Sequence, residues 1–390
     1  MSNLIKNELI KILHKRSTLV MLIILFSFVL LITFFYSRST DSNVGRNLSS
    51  NNWKEQILLQ KQEVETDLVA AKNELKASDY ASYIILSNKI EYLEYLQKLY
   101  NYRILNNIGF NNSFLDNAIN ELVGIKEEHI ALKNTVNRSE SDIHRFNELN
   151  ELVLKDEYIL HNKIDINSSK SVSKLLQNFY DEYLLFILIF IIIISAPIIS
   201  DEFNKGTIKT LLTTPYSRTE IIIAKIFSVF IVLVLTTISL IIAQYVVGGL
   251  IFGFATTNMP ILIYNNISQS LVVVSSLKYI FLNTISNMTL CIMVALIAIM
   301  FSVLSSSTAI ATGLSFFFLI ASDIINALII KYDIAIFRYV LTLNWNLTCY
   351  LFGNNHPFKY LSFIQSFIIY MAYLLIILVI IIKVFKTKKI

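Results

Sequence analysis

The sequence predicts an all-α integral membrane protein with six transmembrane helices, an N-terminal amphipathic interfacial helix and a helical, coiled-coil-like extracellular domain. Three observations lead there. Hydrophobic residues make up 55% of the 390, and the mean hydropathy is +0.58. Six apolar runs, at about 18–36, 183–199, 226–252, 285–304, 308–330 and 366–384, are long enough to cross a bilayer core of roughly 30 Å. Between the first two lies material of another kind: residues 37–182 carry 17 lysines and arginines against 22 acids, whereas the rest of the chain carries 16 against 6. The expected domains are therefore 1–36 (interfacial helix and first span), 37–182 (extracellular helical domain) and 183–390 (spans two to six, with a cytoplasmic loop at 200–225).

The elements follow in order. Residues 3–16 place Ile5, Leu9, Ile12 and Leu13 on one helical face and Lys6, Lys11, Lys15 and Arg16 around the rest. That is the pattern of a helix lying in the inner interface with its cations toward anionic headgroups. The first span starts too late and runs too long for a signal peptide and lacks a small-residue cleavage site, so it is expected to stay as an anchored helix. In 37–182, Trp53, Ile57, Val64, Leu68, Ala71 and Leu75 recur at helical spacing. Leu86, Ile90, Leu93 and Tyr100 do the same, as do Leu115, Ile119 and Leu122, and Ile143, Phe146, Leu149 and Leu152 or Val153. Such narrow seams predict antiparallel helices, with Asn106, Asn107, Gly109, Asn111 and Asn112 marking a turn between two arms.

Past the third span, Gly248, Gly249 and Gly253 are expected to loosen the helix, and the apolar pieces of 254–284 to lie on the interface or re-enter it. Ser305–Thr308 makes so short a connection that spans four and five form a hairpin. Trp345, Tyr350 and Phe352 place interface-loving aromatics in the loop 331–365. Twelve cations flank the spans on one side and four sit in the two short loops on the other, which orients both termini to the cytoplasm. A composition rich in Ile, Asn and Lys suggests an AT-rich bacterial source, hence a bacterial plasma membrane.

Chemistry is sparse. Two cysteines, Cys291 and Cys349, read as unpaired soft hydrophobes, and the five histidines have no metal-ligand spacing. The phosphate-loop pattern GxxxxGK[ST] is missing, so the chain does not bind ATP by that route, and neither a catalytic grouping nor a nucleic-acid partner is expected. Attention falls on the polar loop 200–225. After Pro197, a helix breaker, come Asp201 and Glu202. A short amphipathic run follows at Gly206-Thr207-Ile208-Lys209-Thr210-Leu211-Leu212, then a stop at Pro215. Ser217-Arg218-Thr219-Glu220 is a capping box that opens the third span.

The pattern E-F-x-x-G-T-I-K-x-L-L-x-x-P-x-S-R-x-E-I-x-x-A-K, from Glu202 to Lys225, resembles the signature loop of type-2 ABC exporter permeases. The span count and the basic amphipathic N-terminus are similar too. The resemblance implies a transport subunit, not an enzyme. Its coupling residues would be Glu202, Gly206, Thr207, Ile208, Lys209, Leu211, Leu212, Pro215 and Arg218, seated against a separate cytoplasmic ABC ATPase. It implies a second permease copy or sister permease, no cofactor in this chain, and ATP with Mg on the partner subunit. The segment 37–182 departs from members with a short loop there and is similar to the subset with a large extracellular insertion, found in sodium-extruding and in peptide-antibiotic-exporting or immunity systems. Asp323 in span five, with Asn326 one turn on, is a candidate for the substrate path, because an acid inside a span usually faces a bundle interior or a cavity. Hydrophobic or amphipathic cargo is the first expectation and sodium the second. A membrane sensor or scaffold with a ligand-binding outer domain is the rival from another class.

Overall fold

A computed structural model describes residues 1–38, 52–76, 79–110, 113–165, 170–208, 215–254, 259–353, 356, 358 and 360–388. Of the expected features, Asn111 and Asn112 of the turn and Lys209, Leu211 and Leu212 of the loop lie outside the described residues. The chain divides into two units, one of residues 1–38, 170–261 and 275–390, the other of 39–169 and 262–274.

The first unit is a helix bundle. It starts with α1 (Ser2–Leu13) and α2 (Arg16–Arg38). After the second unit come α7 (Val172–Gln177), α8 (Phe179–Ser195), α9 (Pro197–Asn204) and α10 (Arg218–Phe252). It ends with α11 (Ser276–Leu304), α12 (Thr308–Tyr332), α13 (Leu341–Asn344) and α14 (Phe363–Thr387). Six helical stretches are long and apolar enough to cross a membrane: Arg16–Arg38, Phe179–Asn204, Arg218–Phe252, Ser276–Leu304, Thr308–Tyr332 and Phe363–Thr387. All six expected spans are present, and the chain is a multi-pass membrane protein.

Physical detail departs from expectation in four places. Residues 170–182, assigned by sequence to the extracellular domain, fold with the bundle. Val172, Leu175 and Leu176 of α7 are buried, and Ser171 caps the helix by accepting from the Lys174 N–H. Gly248 does not loosen α10, which runs on to Phe252. Its missing side chain lets α7 approach, since a Cβ there would stand 2.9 Å from the Leu175 Cδ1. Trp345, expected at the interface, is buried edge-on to Phe318 with ring centroids 6.0 Å apart. Residues 260–275 form neither a membrane dip nor helix but a hairpin, β1 (Pro260–Asn265) paired with β2 (Ser270–Ser275). Its β-branched residues (Ile261, Ile263, Val272–Val274) suit a pleated ribbon, and α11 begins at once after it, nine residues earlier than the apolar run suggests.

Pro197 marks a seam. A proline removes one backbone donor and its ring crowds the preceding turn; α8 stops at Ser195 and α9 restarts with the proline in its first turn. The N–H groups of Ile199 and Ser200 donate across to the Ser302 Oγ of α11, at 3.1 and 3.0 Å. In a span, where water cannot substitute, that hydroxyl is what makes the break tolerable.

The second unit holds two helical hairpins, α3 (Trp53–Leu75) with α4 (Tyr80–Leu105) and α5 (Phe114–Asn134) with α6 (Glu140–Asn162). The expected seams are there. Ile57, Val64 and Ala71 are buried seven residues apart, facing Leu93 and Leu96, while Ile119, Leu122, Phe146, Leu149 and Val153 fill the other hairpin. Ile143, expected in a seam, is exposed. Asn107 sits in the left-handed region at φ 54°, making the turn between arms.

Candidate functional site: the base of the 200–225 loop

The loop springs from the C-terminus of α9 and returns at the N-terminus of α10. Gly206 supplies the exit turn, at φ +70°. The return is the expected capping box: Ser217 N–H donates to Glu220 Oε2 at 2.8 Å and the Glu220 N–H donates back to Ser217 Oγ at 3.3 Å. Of the predicted loop residues, Gly206, Thr207 and Pro215 are exposed, and Ile208 is buried in the bundle core.

Glu202 and Arg218 are spent inside the protein. Lys225, 1% exposed, lies one turn or two into α10 and donates from Nζ to Glu202 Oε1 at 2.7 Å and to Glu8 Oε2 at 2.8 Å. The first and last residues of the loop pattern thus close on each other, and a third helix supplies the second carboxylate. Lys11 completes the group, 3.0 Å from Glu8 Oε1 and 3.7 Å from Glu202 Oε1. Beside it Asp201 Oδ2 takes Lys15 at 3.0 Å and Lys205 at 3.1 Å.

Burial alone would push the Glu8 carboxyl up. The Lys225 and Lys11 ammonium groups outweigh it and hold Glu8 below its ordinary range. Lys11 is raised in return: burial works against its charge, but hydrogen bonds and attraction from Glu8 and Glu202 prevail. A desolvated charge without a partner costs several kcal/mol, so α1, α9 and α10 are held in one register.

Sequence reasoning found the cations of α1 but not Glu8. It placed Ile5, Leu9, Ile12 and Leu13 on the apolar face of an interfacial helix. The residues that turn inward are Leu4, Glu8 and Ile12, with Ile5 and Leu9 half-buried and Leu13 exposed. The signal was the one acid in a basic helix.

Arg218 Nη1 donates to the carbonyls of Lys386 and Lys388 at 2.9 and 3.1 Å, strapping the C-terminus to the loop's return. Lys388 in turn donates to the Val303 carbonyl at 2.6 Å and lies 4.3 Å from the centre of the Phe203 ring. Asn204 hydrogen-bonds Thr308 Oγ1 at 3.1 Å. So the N-terminal helix, the 305–307 turn and the C-terminus all gather at one end of the bundle around the loop.

Asp323 lies elsewhere, on a cleft of about 360 Å³ in the same bundle with Asn326, Asn346 and His356 on its wall. Asn326 is committed to α13: its amide donates to the Thr342 carbonyl at 3.0 Å and its oxygen accepts from Thr342 Oγ1 at 2.6 Å. Among the described residues the Asp323 carboxylate has no such partner. The structure therefore puts the two on one wall and gives them different work. No group of three His, Cys, Asp or Glu suited to a metal occurs among the described residues.

No solved structure matches the chain. A protein of Bacillus subtilis (strain 168), described as "Uncharacterized protein YhcI", is 34% identical over 171 residues, which are 42% of this chain and 52% of that one. The match thus spans about half of the relative's length. Residues 146–390, which include the loop, Glu202 and Lys225 of its ionic base and all spans but the first, match the family described as "Protein of unknown function (DUF2705)", and the chain belongs to that family.

Proposed function

We propose that the chain is the permease subunit of an ATP-driven ABC exporter and takes its work from a separate cytoplasmic ATPase. The observation that carries this is the closure of the pattern on itself. Glu202 and Lys225, the outermost residues of the signature-like loop, meet at 2.7 Å, and the segment between them leaves the bundle at an exposed Gly206-Thr207 and returns at a capped helix. A loop with a rigid ionic base transmits a push without losing it in local bending. ATP and Mg would belong to the partner, and closure of an ATPase dimer would press on 206–214 and tilt the spans. Two copies, or one copy and a sister permease, would form the membrane part, with both termini and the loop cytoplasmic in a bacterial plasma membrane.

The cargo favoured is hydrophobic or amphipathic, such as an antimicrobial peptide or a drug, since Asp323 is the single acid of its span rather than part of a dense charged site. Sodium is the alternative within the class: Asp323 has no partner among the described residues and lines a cleft with polar neighbours.

The test is co-purification with a cytoplasmic ABC ATPase, sought first among the products of neighbouring genes. Scrambling 206–214 should abolish retention and ATP turnover by the complex while leaving the permease folded; full retention would remove the loop from the coupling role. Vesicle uptake of peptides, drugs and sodium, with and without Asp323→Asn, assigns the cargo. An unchanged profile excludes Asp323 from the path. If no ATPase binds while the outer domain captures a ligand, the sensor or scaffold reading replaces this one.

A further inference from the structure

A cavity of about 600 Å³ opens beside the ionic base, between the α1–α2 junction and α8–α9. Its volume is that of a ligand site, and its wall is graded. Ile12, Ile194, Pro197 and Ile198 form an apolar part, while Lys11, Lys15 and Lys205 stand on the polar part. The level is fixed by the chain itself. The stretch able to cross a membrane begins at Arg16 on one side of the cavity and ends at Asn204 on the other, so the cavity lies where the apolar layer meets water.

The lysines have hydrogen-bonding capacity to spare. An ammonium has three donors. Lys15 and Lys205 each spend one, on the same Asp201 oxygen, and their side chains remain 38% and 64% exposed. Each carboxylate already holds lysine: Glu8 has one on each oxygen, and Glu202 Oε1 holds Lys225 and Lys11 while its Oε2 is buried without a hydrogen bond. With four lysines against three carboxylates on the wall, and His14 beside them, the residual demand is for an anion.

We infer that this cavity binds one anionic phospholipid, its phosphodiester on Lys15 and Lys205 with Lys11 at the edge, and the upper part of an acyl chain along Ile12, Ile194 and Ile198. A cation set at the headgroup level with an apolar slot beneath it matches both halves of such a molecule, whereas soluble phosphate uses only one. Bound there, the lipid would brace α1 against α9. The inference needs only the membrane-spanning bundle and stands apart from the question of an ATPase.

Native mass spectrometry of the full chain, released from detergent with phosphatidylglycerol or phosphatidylcholine, tests it. Wild type should retain one phosphatidylglycerol in preference to phosphatidylcholine. Lys15→Gln with Lys205→Gln should weaken that retention about tenfold or more, at roughly a kcal/mol per lysine near the surface. The paired Lys→Arg variant should restore it, and Lys331→Gln, at the other end of α12, should leave it unchanged. Ile198→Trp, which fills the slot but keeps every charge, should also lower it. Equal retention of the two lipids would overturn the inference. So would retention by the Gln pair as strong as wild type, or displacement of the lipid by inorganic phosphate at equal concentration.

Discussion

The two units use most of their charge in different ways. In the second unit one ion pair, Arg103 with Asp116, is buried, and the others are scattered along helix faces. Lys72 meets Glu94 at 2.7 Å and Arg145 grips Glu128 through two nitrogens, with side chains about half exposed in both pairs. Its folding rests on apolar seams, and such pairs add little where water screens them. In the first unit acids are few, and the decisive ion pair is buried: Glu8 and its partner Lys225 are 3% and 1% exposed. Charge at the surface is decoration on a fold already determined, while charge inside a bundle specifies which helices meet and in what register.

The comparison breaks first at Lys225. Lys225→Met leaves the Glu8 and Glu202 carboxylates facing each other without their shared cation and should destabilise the bundle by about 3–5 kcal/mol, read as the shift in a denaturant or thermal melt in detergent. Replacing Glu8 and Glu202 by Gln in the same chain should recover most of the loss. A single variant as stable as wild type would show that the group is hydrated and ornamental. Ser302→Ala comes next. It removes the hydroxyl to which the Ile199 and Ser200 N–H groups donate at the proline seam and should cost about 1–3 kcal/mol, with faster hydrogen exchange at those two amides as its local signature.

Much of the bundle was legible because a bilayer imposes its length on every span and capping boxes are local. The capping box at Ser217–Glu220 and the seven-residue spacing of Ile57, Val64 and Ala71 needed only neighbours in sequence. Glu8 and Lys225 are 217 residues apart, and nothing near Glu8 announces where it points. The inward face of α1 is also rotated from the most apolar one, because a buried ion pair can outweigh a leucine. Ser302 looked like any small residue at a helix contact; its use shows only when Pro197 is placed against it. The hairpin at 260–275 was hidden because short apolar β-branched runs fit a buried helix segment and a strand equally.

Besides the buried Arg103–Asp116 pair, Asp156 is an exception to the rule of the second unit, and it supplies a pH test. Asp156, 3% exposed, is pushed up to about 7, by burial first and then by Glu121, with Glu157 adding to it and Lys155 opposing. A carboxyl whose folded value lies above its unfolded 3.8 holds its proton longer in the folded state, so stability is greatest in acid and declines as pH rises through that window to about 7. Asp156→Asn stays neutral and should remove the decline. Amide protection factors in α5 and α6 should match wild type near pH 4 and exceed it at pH 8. Protection that falls equally in both would place the charge-sensitive group elsewhere.

The smallest effect is the sharpest test of the contrast. Arg145 and Glu128 have better geometry than any pair in the ionic base, with two contacts at 2.9 Å each. If the number of contacts between two partners decided strength, Glu128→Ala would rival Lys225→Met. It should instead leave the melt within error of wild type at physiological salt, because both groups regain their water when parted and neither is stranded in an apolar surround. A clear loss on Glu128→Ala that vanished at high salt would mean that the second unit is held by its surface charges. The apolar seams would then be insufficient by themselves, and the two units would differ only in where their charges lie.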